Sequence, residues 1–273
     1  MIASQRPQVV ARAQAAGEIV APQSSDFMIV QRALDRMADE AIDLGVTIRI
    51  ETDFDEFARV LRTASGWVYP SFDPACARLE RDALWLRVTD AEGELVLVYA
   101  ARVFRCDEFM TLLRNERLWF DRGLRAVSPN YRLLESRFDT PAWGGTVGHG
   151  GGLWVDPRAR GHGLSTWAPI YMRALMVRRF DIDWQTNLVF ANMAERSRRA
   201  YGYTEIERVI DGYFPPTGKD AAVYLSRMSR AEILGQLTAS EFAARATKVD
   251  RQAPAPGVDA PRREAGSRPG GSD

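Results

Sequence analysis

Apolar residues recur three or four apart at Phe27, Val30, Leu34, Met37, Ala41 and Leu44, which is the spacing of one helix face. Ser24, Ser25 and Asp26 ahead of them suit an N-cap, and Gly45 behind them suits a C-cap. The period drops to two across Val46 to Glu51, so a strand is expected there, and Asp53 opens a second short helix through Leu61. Ser65 to Pro74 is an aromatic-rich loop. Ala83 to Thr89 and Glu94 to Phe104 read as a hairpin closed at Asp90-Ala-Glu-Gly93. A short helix is expected over Asp107 to Asn115, within an otherwise irregular segment from Arg105 to Trp143. Thr146 to Val155 reads as a strand carrying Gly148, Gly150, Gly151 and Gly152; such glycines mark a bulge or the close approach of a backbone or a ligand. An amphipathic helix is expected from Leu164 to Phe180, a strand from Ile182 to Phe190, and a short polar helix from Asn192 to Tyr201. Tyr203 to Ile210 and Ala221 to Met228 form a final strand pair. Ser229 to Thr247 is a closing helix with Ile233, Leu234, Leu237 and Phe242 as its apolar positions.

This order predicts an α/β (α+β) domain, a mixed central sheet with helices on both faces. One domain over 26–247 is expected, behind a flexible arm over 1–25 and ahead of a disordered tail over 248–273 that is rich in Pro, Gly, Ala and Arg.

Composition narrows the function classes. The 273 residues are 46% hydrophobic, enough for a packed core. Lys plus Arg total 36 and Asp plus Glu total 36, so no overall field draws the chain to nucleic acid or an anionic membrane. No apolar run approaches the ~20 residues of a membrane span, and no secretion signal is expected at the N-terminus, so the expected setting is cytoplasmic. Cys76 and Cys106 lack metal-ligand spacing with each other or with His149 and His162, so no metal is expected.

The candidate chemistry lies in Leu153-Trp154-Val155-Asp156-Pro157-Arg158-Ala159-Arg160-Gly161-His162-Gly163-Leu164. It runs from a strand through a glycine turn into a helix. Such a turn aims consecutive N–H groups and the helix dipole at phosphate oxygens. Gly161 and Gly163 remove Cβ atoms and allow positive φ, and Arg158 and Arg160 can add charge-assisted contacts. It is not a Walker loop, having no Gly-Lys-Ser/Thr, nor a dinucleotide fingerprint, since Arg158 replaces the first glycine.

Arg158-x-x-Gly161-x-Gly163 resembles the Gln/Arg-x-x-Gly-x-Gly/Ala motif of the GNAT superfamily of N-acetyltransferases. The resemblance spans Val46 to Met228 in order of elements and is specific at residue level only in this loop. It implies a GNAT-like fold, with Arg158, Arg160, Gly161, His162 (through its N–H) and Gly163 opening onto Leu164 to hold the pyrophosphate of acetyl-CoA or another acyl-CoA. It further implies that the strand from Gly148 to Val155 splays from its neighbour, and that backbone groups at Trp154 and Val155 pair with pantetheine. The acceptor implied is a small-molecule or peptide amine. Gly202-Tyr203 stands where the family has a Gly-Phe corner. Arg198 stands where many members carry a proton-donating tyrosine, and the acidic residue of the core strand is absent.

Three side chains admit two roles each. His149 is either a base for the acceptor ammonium or a histidine satisfied within a crowded strand. Tyr201 either protonates the leaving thiolate or packs under the cofactor. Asn192 either bonds pantetheine or caps a helix. The aromatics Trp67 to Phe72, Trp119, Phe120, Tyr213 and Phe214 are pocket walls or core. The function expected is transfer of an acetyl or other acyl group from acyl-CoA to an amine; the alternative is an acyl-CoA-binding or interaction protein on the same scaffold that does no catalysis.

Overall fold

The computed structural model describes residues 24–79, 81–122 and 126–239. The expected tail, residues 1–23 of the expected arm and residues 240–247 of the expected last helix with Phe242 lie outside them, whereas Ser24 and Ser25, expected in the arm, open the first helix.

Helix α1 is Ser24–Asp43 and strand β1 is Thr47–Glu51. Helix α2, Phe54–Ser65, is held at both ends by its own sequence: the Asp53 carboxylate accepts from the Glu56 N–H at 3.0 Å, and Gly66 closes it at φ 76°. Then follow β2 (Ala83–Thr89), β3 (Leu95–Cys106), a short α3 (Phe109–Arg114), β4 (Gly145–Val155), α4 (Leu164–Phe180), β5 (Trp184–Phe190), α5 (Ala191–Arg199), β6 (Glu205–Phe214), β7 (Lys219–Ser229) and α6 (Arg230–Thr238). Ser229 and Glu232 form a capping box at the start of α6. Cys76 and Cys106 are not joined in a disulfide.

The seven strands form one mixed sheet in the order β1-β2-β3-β4-β5-β7-β6. Every neighbouring pair is antiparallel except β4 and β5, which are parallel and joined by the crossover helix α4. The last strand turns back between β5 and β6, so β6 forms the edge.

One apolar core lies under α2 and the aromatic loop, built on Phe57, Phe72, Trp85, Phe109, Trp119 and Phe138. A second lies on the opposite face, where Met37 of α1, Trp167 and Met172 of α4 and Ile233 of α6 meet Leu84, Leu86 and Leu97. Helix α4 is not amphipathic as expected. Residues on all its sides are buried, because α1 and α6 cover the side away from the sheet. Its outer positions (Trp167, Ile170 and Ala174 among them) are therefore apolar too, as a helix enclosed on every side requires.

The β4 glycines answer to side chains. A Cβ at Gly148 would meet the Gln185 amide oxygen at 2.6 Å, and one at Gly150 would overlap the Tyr99 hydroxyl. On the other face, a Cβ at Gly151 would stand 2.7 Å from the Phe72 ring, and one at Gly152 3.0 Å from Phe57. Large aromatics from both cores press on this strand, and glycine makes room for them. The register slips as well. Ala100 faces Gly151 and Val98 faces Trp154, which leaves Gly152, at φ 63°, and Leu153 opposite Tyr99 as a bulge.

Candidate functional site

β4 and β5 pair only from Val147–Trp184 to Gly150–Asn187. Beyond that point β4 stays with β3 as far as Val155, and β5 stays with β7 as far as Phe190. The only parallel pair in the sheet therefore opens into a cleft whose walls are Gly151–Val155 and Leu188–Phe190. The bulge at Gly152 turns β4 away at the point of parting.

The glycine turn sits at the end of one wall. The Asp156 carboxylate accepts from the Arg158 N–H at 2.8 Å and starts a short 3₁₀ turn, Pro157–Ala159. Gly161 and Gly163 follow at φ 83° and 82°, and a Cβ at either would meet nothing within 4 Å. Glycine is thus required there by backbone conformation, and the space above it is open. Gly163 begins α4 without a side-chain cap; its carbonyl accepts from Thr166 and Trp167. Among the described hydrogen bonds none uses the N–H groups of Gly161, His162, Gly163, Leu164 or Ser165. A bank of unengaged donors at the positive end of a helix is the chemistry of an anion cradle.

A sheet with one parallel pair that splays, and an arginine-glycine turn leading from the splayed strand into the crossover helix, together decide the architecture. It is the arrangement that the resemblance of the glycine loop to the GNAT motif implies. No family model matches the sequence, and no curated protein matches it. Solved GNAT structures resemble it. NAA60 of Arabidopsis thaliana in complex with acetyl-CoA is 13% identical, with a TM-score of 0.45, covering 68% of this chain and 99% of that one. Spermidine N-acetyltransferase from Vibrio cholerae in complex with CoA and spermine is 10% identical, with a TM-score of 0.41, covering 70% and 98%.

Around this cleft and turn the sequence candidates separate. Trp154 lines the cleft and Val155 ends its wall. Arg158 is exposed, but its guanidinium is held by Asp156 at 3.0 and 3.1 Å, which keeps that carboxyl below its ordinary range. Arg160 leans back to the Val155 carbonyl at 3.3 Å, and His162 is exposed. Asn192 is not a cap: α5 begins at Ala191 behind Phe190, so Asn192 is exposed inside the first turn.

His149 is fully buried, stacked on Phe72 at 6.2 Å and ringed by Tyr69, Phe104 and Phe109. Its Nδ1 lies 3.0 Å from the Thr186 hydroxyl, and its Nε2 has no partner. Burial first, and then the Arg102 charge across the strand pair, push its pKa down to about 3. It is a neutral group beneath the cleft and does not line it. Tyr201 is buried on the α4 face, where its carbonyl accepts from Arg173 and Gln236 at 3.0 and 3.2 Å. His149 and Tyr201 thus lie in the two cores on opposite faces of the sheet, and neither lines the cavity.

The cavity, about 270 Å³, fills the cleft on the α2 face. Trp67, Tyr69 and Phe214, candidates from the sequence, do line it; Trp119 and Phe72 lie in the core, with Trp119 donating to the Tyr69 hydroxyl at 2.6 Å. Sequence reasoning missed Asn187. It is buried at the apex of the cleft, and its amide oxygen has no partner. The signal was a polar Thr-Asn pair in the middle of the otherwise apolar end of strand β5. Thr166, in the first turn of α4, likewise buries a hydroxyl without a partner.

Proposed function

We propose that the chain binds acyl-coenzyme A across the glycine turn and the β4–β5 cleft and passes the acyl group to an amine. The observation that carries this is the continuity of the open cleft with the unengaged N–H groups of 161–165 at the start of α4. The residues fit such a co-substrate in two ways. The cradle offers donors to a pyrophosphate, with open space over Gly161 and Gly163. The orphaned Asn187 oxygen at the apex offers an acceptor to a pantetheine amide N–H. In this proposal Arg160, Trp154, Val155, His162, Leu164 and Asn192 contact the co-substrate between these two points, with Arg158 beside it.

In the reaction proposed, the amine nitrogen attacks the thioester carbon, the C–N bond forms, the C–S bond breaks, the amine loses a proton and the thiolate gains one. The protein supplies positioning and backbone donors to the carbonyl oxygen. As His149 sits, it has no route to the amine, so the acceptor must arrive neutral or pass its proton to water. Tyr201 is buried on the α4 face and does not line the cavity, so the thiolate takes its proton from water, and Tyr201→Phe is expected to leave both kcat and CoA affinity unchanged.

One observation favours a second reading, acyl-CoA binding without turnover: no titratable side chain except the deeply buried Tyr69 phenol lines the cavity.

The test is thermal unfolding with CoA and with acetyl-CoA, alongside Gly161→Glu. A ligand at a hundred times its dissociation constant adds roughly 2.7 kcal/mol, so a raised Tm that is absent in the variant is expected. No shift in the folded native chain contradicts both readings, and a shift without turnover of any amine selects the second.

A further inference from the structure

The cavity in the cleft has a lining that selects what enters it. Leu61, Trp67, Leu153, Leu188, Phe190 and Val223 present carbon, and no lining residue carries a charge. The two hydroxyls in the wall are already engaged. Ser65 donates to the carbonyls of Leu61 and Trp67 at 2.8 and 2.9 Å, and Tyr69 accepts from Trp119. Trp67 and Phe190 are 43% and 42% exposed, which places two of the molecule's exposed large apolar side chains on this one cavity. An exposed apolar rim around an apolar hollow marks a ligand site.

An ammonium ion is a poor occupant, since it would lose water and gain no carboxylate. An acetyl group is too small. The space is about 270 Å³, against roughly 30 Å³ for one water in the liquid, and an acetyl methyl would leave most of it empty. A hydrocarbon chain or aromatic ring attached to the thioester loses its own contact with water and displaces poorly bonded water.

We propose that this cavity holds the acyl group of the donor, and that the preferred donor carries an aliphatic or aromatic acyl chain of medium length. The proposal rests on the acyl-coenzyme A reading above and deepens it. The cleft wall Gly151–Trp154 is shared by the cavity and by the expected path of pantetheine, so a thioester lying against β4 would point its acyl end between Leu188 and Tyr69.

The experiment is calorimetric titration of the full chain with CoA, acetyl-CoA, hexanoyl-CoA and benzoyl-CoA. Burial of one methylene corresponds to roughly fourfold in affinity, so with about two of its four additional methylenes buried hexanoyl-CoA is expected to bind at least ~10-fold more tightly than acetyl-CoA. Leu188→Trp, which fills the hollow, should bring hexanoyl-CoA to the acetyl-CoA value. Phe190→Asp places a carboxylate on the exposed rim at a helix N-cap, where Asp is well tolerated; it should reduce the same advantage. Equal affinity for acetyl-CoA and hexanoyl-CoA, with CoA binding abolished by Gly161→Glu, overturns the acyl-pocket proposal and keeps the co-substrate reading. A hexanoyl advantage that survives both cavity variants overturns the location. Failure of CoA itself to bind overturns both.

Discussion

His149 shows how far burial can move a residue from the role its chemistry suggests. Histidine titrates near neutrality in water, but here rings on several sides and the Arg102 charge hold it neutral. The folded chain takes up this proton only near pH 3, whereas the unfolded chain takes it up near 6.5. Stability from this group is therefore complete above pH 6.5 and is lost progressively as pH falls toward 3, by up to about 1.4 kcal/mol per pH unit. Between pH 6.5 and 4.5, above most carboxylates, urea denaturation of the native chain should show this slope. His149→Phe, which keeps the stacking on Phe72, should remove most of it; an unchanged slope would place the titrating group elsewhere. Asn187 makes the opposite case. Asn187→Leu removes an orphaned oxygen, so folding stability should hold within about 1 kcal/mol while CoA affinity falls roughly five- to tenfold. Titration of the two proteins with CoA checks it. The sequence marked Gly161 and Gly163 correctly as positions of positive φ, because that demand is local. It did not show that His149 would be sealed or Asn187 left at the apex of a cleft. Those properties belong to neighbours distant in the chain, Phe72 and Phe109 for one and the parting of β4 from β5 for the other.

At the scale of an element, β4 is the strand most constrained by what surrounds it. Tyr99 from β3 lies across Gly150, and Phe72 from the loop after α2 lies across Gly151. Gly150→Ala should cost about 1–3 kcal/mol, the usual penalty for overpacking. Tyr99→Phe in the same chain should recover part of it, because the hydroxyl is the nearest atom and the ring carbon beneath it stands at 3.0 Å. A double-mutant cycle by denaturation measures the coupling; strict additivity would mean that the strand shifts instead of the ring. Most elements were legible from periodicity and caps: Asp53 at the start of α2 (which runs on to Ser65, past the expected end at Leu61), the hairpin of β2 and β3, and the start of α4 at Leu164. The misreadings share one cause. The β4 glycines were read as a bulge or a close approach: the bulge lies at Gly152, while side chains fill the space over Gly148, Gly150 and Gly151, and α4 looked amphipathic because its sequence does not reveal that α1 and α6 cover it.

At the scale of the molecule, the chain is two cores divided by a sheet, with a gap where its one parallel pair parts. Helix α1 completes the α4 face: Met37 is buried, its carbonyl accepts from the Trp167 indole at 3.3 Å, and Asp26 pairs with Arg230 at 3.1 Å. Met37→Ala should therefore cost about 2–5 kcal/mol, as for a core truncation, and guanidinium denaturation reads it; a cost under ~0.5 kcal/mol would match a surface position. The order of the last strands, with β7 inside β6, was not legible, since pairing across the sheet depends on contacts that no local pattern encodes. Among the described residues no helix is long and apolar enough to cross a membrane.

The central claim is that one ligand engages the glycine turn and both walls of the cleft at once. Hydrogen exchange of backbone amides, followed by mass spectrometry with and without CoA, tests it most directly. Protection is expected in 151–155, in 161–166 and in 187–190 together, with the edge strands β1 and β6 unchanged. Protection that spares 161–166, or none at saturating CoA, would contradict the account.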